Sequence, residues 1–196
     1  MAINSAPGLL IVFSGPSGCG KGTLVAKLLE QRTDTVLSVS VTTRAPRPGE
    51  IDGFHYFFKT REEVERMIQN DELLEYAQYS ENYYGTPRAA VEEHLKAGRN
   101  VILEIDVQGA LQVMEHCENY VSIFLTVPSL EELERRLRGR GTEKEEWIQT
   151  RMQAAKNELE YIDRYQYTVL NDEVDAAFDR LNAIIETEKE KNRNNI

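Results

Sequence analysis

One short stretch of this chain combines glycines, a lysine and a hydroxyl in a spacing that suits phosphate binding. It reads Gly15-Pro16-Ser17-Gly18-Cys19-Gly20-Lys21-Gly22-Thr23, and it lies between the apolar run 9–13 and the apolar-rich segment 24–29. Glycines allow consecutive backbone N–H groups to face one anion, and a following helix adds the positive end of its dipole. Lys21 would reach the outer phosphates as a point charge. The order strand, glycine loop, helix therefore predicts a nucleotide phosphate-binding loop.

The loop departs from the usual pattern at one position. A Ser or Thr normally follows the lysine directly, and its hydroxyl binds Mg²⁺. Here Gly22 follows Lys21, and the hydroxyl comes one residue later, at Thr23. We expect Thr23 to face the phosphates, and the protein oxygen that contacts the metal is left open, with Thr23 as one candidate.

Charge and composition narrow the classes of partner. The chain has 196 residues, 23 basic and 33 acidic, for a net charge of −10, which argues against a nucleic-acid partner. An acidic protein that binds nucleotides must gather its positive charge in one cleft. The two cysteines, Cys19 and Cys117, have no metal-ligand spacing and are predicted to be free thiols in a reducing cytoplasm. No apolar run approaches the roughly 20 residues of a membrane span, so no membrane partner is expected.

Apolar runs alternate with helical patterns along most of the chain. Strands are predicted at Leu9–Ser14, Val101–Val107, Ser122–Val127 and Tyr167–Leu170. Helices are predicted at Thr23–Glu30, Ala89–Ala97, Ala110–Cys117, Ser129–Arg138, Lys144–Arg164 and Val174–Lys189. Three of the strands are continuous apolar runs, which is typical of strands buried on both faces. The alternation predicts an α/β fold with a parallel sheet covered on both faces and ligands at the carboxyl ends of its strands.

Two segments interrupt this alternation. Residues 37–87 contain short β-type runs, turn-forming prolines and glycines, and many aromatic residues, and they are predicted to form an inserted β-rich lobe. Residues 129–164 are dense in charge and contain Gly139-Arg140-Gly141, and they are predicted to form a mobile helical flap. The core would then consist of residues 1–36, 88–128 and 165–196.

Four further blocks of sequence are specific enough to indicate a family. They span residues 40–53, 82–86, 103–109 and 135–142, and they closely resemble, in order, the signatures of guanylate kinases. The resemblance covers roughly residues 8–186 and implies transfer of the ATP γ-phosphoryl group to GMP, with Mg²⁺ as cofactor. It also implies a three-layer P-loop kinase core, an inserted β-rich GMP-binding lobe and a helical lid.

The resemblance assigns the acceptor nucleotide mainly to the inserted lobe. Arg44 and Arg47 would grip the GMP phosphate, because arginine forks suit phosphate oxygens. The phenol hydroxyls of Tyr56 and Tyr84 would add donors. Glu75 would read guanine, whose N1–H and N2–H₂ groups are adjacent donors on one edge. The other GMP-binding residues implied are Ser40, Thr86, Glu104 and Asp106.

Two of these carboxylates also suit a metal site. The pattern places Asp106 at the end of an apolar strand beside the phosphate loop, where a carboxylate can hold Mg²⁺ directly or through water. Glu104 lies two residues earlier, so the period of a strand puts both side chains on one face. A buried structural hydrogen bond is the alternative for each.

The resemblance assigns the donor phosphates to the glycine loop and the lid. Arg136, Arg140 and Arg151 would close over the ATP phosphates, and with Lys21 and Arg44 they are the predicted catalytic residues. Phosphoryl transfer needs alignment and charge stabilisation more than covalent chemistry from the protein. The five arginines at positions 44, 47, 136, 140 and 151 are expected to repel one another until phosphates bridge them.

Some of the nearby polar residues have two interpretations. Asn171-Asp172, just after the last strand, matches a segment near the adenine of ATP; a helix N-cap for the segment from Val174 onward is the other interpretation, and the two are compatible. Arg135 and Arg138 either join the lid arginines or are solvated charges on a helix face.

Two other functions fit parts of the sequence. An adenylate kinase would share the Gly-Lys-Gly-Thr loop, but such enzymes have a helical lobe where this chain has Thr43-Arg44-Ala45-Pro46-Arg47 in β-type sequence. Guanylate-kinase-like scaffold domains bind phosphorylated peptides, but they have typically lost the working phosphate loop. This chain keeps Lys21 and the lid arginines, which favours the enzyme.

Overall fold

The computed structural model describes residues 8–79, 81–139 and 145–194, which form an α/β architecture with two sheets. The strands are β1 (Leu10–Ser14), β2 (Thr35–Leu37), β3 (Val41–Thr42), β4 (Phe57–Phe58), β5 (Leu73–Tyr79), β6 (Asn82–Pro87), β7 (Asn100–Glu104), β8 (Val121–Thr126) and β9 (Tyr167–Leu170). The helices are α1 (Lys21–Gln31), α2 (Arg61–Gln69), α3 (Arg88–Lys96), α4 (Val107–His116), α5 (Leu130–Gly139), α6 (Glu145–Leu159) and α7 (Val174–Asn194), with a short 3-10 helix at Ile162–Arg164.

The larger sheet has five parallel strands in the order β2-β7-β1-β8-β9. In its centre, Val12 of β1 lies between Leu103 of β7 and Ser122 of β8. This confirms the parallel sheet predicted from the alternation of strands and helices. The pattern does not predict β2, which is only three residues long.

Helices cover this sheet on both faces, and the alternation of side chains along β1 explains why four consecutive residues, Leu10 to Phe13, are apolar. Ile11 and Phe13 join a core cluster with α1, α5, α6 and α7, whereas Leu10 and Val12 join a second cluster with α3 and α4. All four side chains are at least 97% buried. Because each such burial stabilises the fold by about 1.5–3 kcal/mol, this strand is a rigid base for the loop that follows it.

The smaller sheet has four strands in the order β4-β3-β6-β5 and is built from residues 41–87. Its strands confirm the predicted β-rich lobe. The lobe also contains α2, which the β-type interpretation missed. Thr60 and Glu63 form a capping box at its start, with distances of 3.2 and 2.7 Å, and Val64 packs on Val41 and Leu73. A cap of this kind stabilises a helix by about 1 kcal/mol.

The strand predicted at Val101–Val107 ends early. β7 stops at Glu104, and Asp106 has the extended backbone of an N-cap for α4. Its Oδ1 accepts a hydrogen bond of 2.8 Å from the backbone N–H of Gly109. The expectation that Asp106 lies in the strand, on one face with Glu104, is therefore wrong, because its carboxylate satisfies a free N–H at the start of a helix.

Two helices, α5 and α6, occupy the segment predicted as a helical flap. The predicted helix Lys144–Arg164 is shorter in the structure, where α6 ends at Leu159 and the 3-10 helix follows. Arg140 and Lys144 lie outside the described residues. In the part of the chain that is described, no helix is both long and apolar enough to cross a membrane.

Candidate active site

The glycine loop between β1 and α1 has the backbone that phosphate binding requires. Gly15, Gly18 and Gly20 have φ angles of 148°, 91° and 101°, a region that residues with a side chain rarely adopt. Lys21 opens α1, and its Nζ donates to the carbonyl oxygens of Gly15 and Pro16 at 2.5 and 3.2 Å. The loop thus holds its own lysine over the start of the helix, where an anion would meet the ammonium and the helix dipole together.

Asn171 packs against this loop from the end of β9. Its side chain is buried, and Nδ2 donates to the carbonyl of Cys19 at 2.7 Å. A Cβ at Gly20 would lie 2.4 Å from that Nδ2, so only glycine fits there. The N-cap alternative for Asn171 is wrong, since its amide holds the loop and α7 starts only at Val174.

Arg136 reaches the same place from α5. Its Nη2 donates to the carbonyl of Asn171 at 2.9 Å, and its Nη1 lies 3.4 Å from the carbonyl oxygen of Cys19. Its Nε donates to Glu132 at 2.7 Å. The structure therefore brings a predicted lid arginine onto the phosphate loop. By contrast, Arg135 and Arg138 make ion pairs on the exposed side of the helix, as solvated charges would.

Two carboxylates face the loop from other elements. Burial raises the pKa of Glu104, and the charge of Lys21 opposes that shift. Burial also raises the pKa of Glu158 on α6, against the charge of Lys21 and the backbone N–H of Ser17. Glu158 was not predicted from the sequence. It lies seven residues after Arg151 on the same side of α6, and this spacing could have indicated that it faces the same site.

The residues predicted to bind the acceptor phosphate form a second cluster. The Arg44 guanidinium donates two hydrogen bonds to Glu50, at 2.8 and 2.9 Å, and lies 5.4 Å from the ring centroid of Tyr56. The rings of Tyr56 and Tyr84 are 6.0 Å apart in an edge arrangement. Arg47 lies on an exposed turn, and its backbone N–H donates to the same Glu50 at 2.6 Å. Sequence reasoning missed Glu50, although it lies inside one of the matched blocks.

The expected mutual repulsion of the arginines is not what the structure has for two of them. Arg44 is paired with Glu50 and Arg136 with Glu132. The hydrogen bonds from Arg44 hold the pKa of Glu50 at about 2, and those from Arg135 and Arg136 hold the pKa of Glu132 at about 2. Each of these two guanidinium groups is therefore paired with a carboxylate and oriented before any phosphate arrives.

A cavity of about 220 Å³ lies between the small sheet and the end of β7. Six residues predicted to bind the acceptor nucleotide line it: Ser40, Tyr56, Glu75, Tyr84, Glu104 and Asp106. Glu75 and Tyr84 lie on the small sheet and Glu104 on the larger one, Asp106 lies at the start of α4, and Ser40 and Tyr56 directly precede β3 and β4. The structure thus gathers into one pocket residues that are up to 66 positions apart, counting from Ser40 to Asp106.

Glu75 is the most buried charged group of this pocket, with 5% of its surface exposed. Its Oε1 accepts a hydrogen bond of 2.6 Å from the hydroxyl of Thr86. Burial raises the pKa of Glu75 to about 7, with the charge of Asp106 adding to the shift and the Thr86 hydrogen bond opposing it. A carboxylate in this setting gains most from a ligand that brings its own hydrogen-bond donors.

A family model, curated relatives and a solved structure that match most of this chain are described as guanylate kinases. A family model described as guanylate kinase matches residues 8–188. The guanylate kinase of Desulfitobacterium hafniense is 56% identical over 93% of this chain and 91% of its own length. That of Oceanobacillus iheyensis is 54% identical over 92% and 88%. A crystal structure of guanylate kinase from Anaplasma phagocytophilum aligns with a TM-score of 0.75 at 37% identity, over 94% of this chain and 87% of that one.

Proposed function

The chain belongs to the guanylate kinase family and transfers the γ-phosphoryl group of ATP to GMP, giving ADP and GDP, and we propose which of its residues bind each nucleotide and which act in the transfer. The observation that carries the proposal is the buried Glu75 carboxylate in a cavity that also contains Asp106. Guanine presents N1–H and N2–H₂ side by side, and an ionised carboxylate accepts from both. Adenine has an acceptor at N1, which would face the carboxylate without a hydrogen bond.

The acceptor phosphate is proposed to bind at the cluster formed by Arg44, Tyr56 and Tyr84, here called the Arg44 cluster. Arg44 can offer a planar pair of N–H donors, and Arg47, Tyr56 and Tyr84 complete the set. Glu50 holds the Arg44 fork in place through two hydrogen bonds. Because a guanidinium has five N–H donors, Arg44 can keep contact with Glu50 while it binds a phosphate oxygen.

ATP is proposed to bind at the glycine loop, residues 15–23, with Asn171 behind it. Lys21 would contact the transferred phosphoryl group, and Arg136, Arg140 and Arg151 would surround it from the lid segment 129–164. The support for Arg136 is its contact with the loop carbonyl of Cys19. Arg151 lies half-buried on α6, and Arg140 is proposed on the family resemblance alone. These groups stabilise charge on the phosphoryl group during transfer.

The oxygen donors of the site fit Mg²⁺. Asp106 and Thr23 are both exposed and both offer hard oxygen ligands. Among the described residues, no group of three or more His, Cys, Asp or Glu side chains could form a metal cage, which suits an ion held mainly by phosphates and water. We propose that Asp106, through water, and Thr23 hold it. When bound, Mg²⁺ would neutralise charge on the phosphates.

The compartment is proposed to be the cytoplasm. Cys19 and Cys117 are both free thiols and both buried, and burial raises the pKa of each. Both are therefore neutral at pH 7 and poor nucleophiles. A reducing compartment suits a phosphate loop with a thiol inside it.

The first prediction concerns pH. Since the pKa of Glu75 is about 7 without nucleotide, a proton competes with guanine for the carboxylate. The KM for GMP should therefore rise as the pH falls below 7, by about tenfold per pH unit at the limit. Steady-state assays from pH 6 to 8, with ATP saturating, would measure this.

The matched control is Glu75→Gln, which has no carboxyl proton to lose. It retains the pH dependence that arises from the phosphate of GMP, so the difference between the two profiles isolates Glu75. Identical profiles for the two proteins would mean that Glu75 does not titrate in this range or does not contact the base.

The second prediction concerns closure. The proposed phosphate ligands are divided between the Arg44 cluster of the small sheet and Arg136 of α5, so neither alone surrounds the transferred group. A bisubstrate analogue that spans both sites should draw the two sides together and exclude water. Solution scattering should then give a smaller radius of gyration with the analogue bound. An unchanged radius at proven saturation would contradict closure.

A further inference from the structure

Glu75 lies in an irregular part of the hairpin formed by β5 and β6. Leu73 pairs with Pro87, but Tyr76 pairs with Gly85, so β5 has one more residue than β6 between these pairs. The irregularity is a β-bulge, a device that redirects side chains. Strand β5 is also an edge strand of its sheet.

The bulge allows two neighbouring side chains of β5 to be buried in different places, one in the core and one at the cavity. Leu74 and Glu75 together face Thr86, and both are buried. Leu74 joins the core cluster that contains α3 and α4, while Glu75 lines the cavity and meets the Thr86 hydroxyl. In a regular strand, adjacent side chains would point to opposite faces, so the direction of Glu75 depends on the bulge being held.

Gln112 of α4 holds the strand at that point. Its Oε1 accepts from the backbone N–H of Tyr76 at 3.1 Å, and its Nε2 donates to the backbone carbonyl of Tyr76 at 2.8 Å. The side-chain amide thus pairs with both backbone groups at the open edge of β5, as a neighbouring strand would. Tyr76 directly follows Glu75, so this contact fixes the end of the bulge.

Gly109, one turn earlier on α4, leaves the space that the carboxylate fills. A Cβ built at Gly109 would lie 2.4 Å from Glu75 Oε2, which is closer than two such atoms can approach. Glycine inside a helix destabilises it relative to alanine, because it loses more backbone freedom on folding. Here the missing side chain allows Glu75 to lie against the first turn of α4, next to its N-cap Asp106.

We propose that Gly109 and Gln112 form a seat on α4 that positions Glu75 and thereby sets the preference for guanine over a purine without the 2-amino group. The inference rests on the proposed role of Glu75 in reading guanine. Both are positioning residues, because they act through Glu75. The seat also connects β5, which carries Glu75, to α4, whose N-cap is Asp106, so the base and the phosphates would be held in a fixed relative position.

The first test compares GMP with inosine monophosphate, which lacks the exocyclic amine. Gln112→Met keeps the length of the side chain but removes both hydrogen bonds. We expect the ratio of kcat/KM for GMP to that for inosine monophosphate to fall about tenfold, the effect of losing one well-placed hydrogen bond to a charged group. The KM for ATP should stay within about twofold of wild type.

The matched control is Gln69→Met, the same replacement at an exposed position on α2, which should leave the ratio unchanged. If Gln112→Met does not fold, Gln112→Glu is isosteric, keeps the acceptor for the Tyr76 N–H and replaces the donor to the Tyr76 carbonyl by a negatively charged carboxylate oxygen. A folded Gln112 variant that keeps the wild-type ratio would overturn the proposal, even if its melting temperature is lower.

The second test is a double-mutant cycle between Gly109 and Glu75. Gly109→Ala should lower kcat/KM for GMP at least about tenfold, because the new methyl group displaces the carboxylate. In a Glu75→Ala background the clashing partner is gone, so Gly109→Ala should have little further effect. Equal losses in both backgrounds would mean that Gly109 serves the helix and not Glu75.

Glu75→Gln separates this inference from the function on which it depends. If that variant retains the wild-type ratio of GMP to inosine monophosphate, the proposed role of Glu75 in reading guanine is wrong. If its ratio collapses and that of Gln112→Met does not, the role of Glu75 stands and the seat is wrong.

Discussion

Replacing Lys21 by alanine is expected to lower kcat by at least about two to three orders of magnitude, the loss found when one preorganised donor to a transition state is removed. The ammonium is already held at the phosphate loop by two backbone carbonyls, so little reorganisation is needed during transfer. Its charge should act more strongly on the moving phosphoryl group than on bound ATP. The KM for either nucleotide should therefore change less than kcat.

Lys27→Ala is the matched control for this variant. Lys27 lies on the same helix, and its ammonium pairs with Asp175 at the surface, a type of contact that contributes at most about 1 kcal/mol. Its loss should leave turnover near wild type. A folded Lys21→Ala protein with near-normal turnover would show that the glycine loop is not the donor site.

Glu75→Gln is expected to lower kcat/KM for GMP by roughly 10- to 100-fold, because one carboxylate oxygen is replaced by an amide donor facing N1–H or N2–H₂. An unpaired buried polar group costs about 1–3 kcal/mol. The loss should fall on GMP, and the KM for ATP should change little, since no residue of the glycine loop lines the pocket that contains Glu75.

Glu72→Gln provides the comparison, since Glu72 is exposed and lies three residues earlier. It should retain wild-type kinetics with both nucleotides. If Glu75→Gln impaired the use of GMP and ATP equally, Glu75 would be a structural residue of the β-rich lobe and would not read the base.

Local patterns were sufficient to predict four of the five strands of the larger sheet and the glycine loop. The run Leu10–Phe13 is apolar on both faces because two helical layers cover it, and three glycines with positive φ follow within seven residues of its end. These signals lie within a few residues of one another. The helix α2 was missed although Thr60 and Glu63 have capping-box spacing, since the surrounding β-type sequence dominated the interpretation.

The pocket could be predicted only through the family resemblance, and its supporting residues not at all. Gln112 and Tyr76 are 36 positions apart, and Gly109 meets Glu75 only because a bulge and a helix start are brought together. Asp106 was placed in the wrong element, since a carboxylate after a strand and a carboxylate before a helix look alike in sequence. Contacts of this kind depend on tertiary packing, which no local spacing encodes.

Whether this pocket selects guanine is best measured in a coupled assay with ATP, Mg²⁺ and each of GMP, AMP, CMP and UMP as acceptor. We expect rapid turnover with GMP and a kcat/KM at least about 100-fold lower with AMP, because adenine leaves the buried carboxylate of Glu75 without its donors. Comparable turnover of AMP and GMP would show that the pocket does not select guanine.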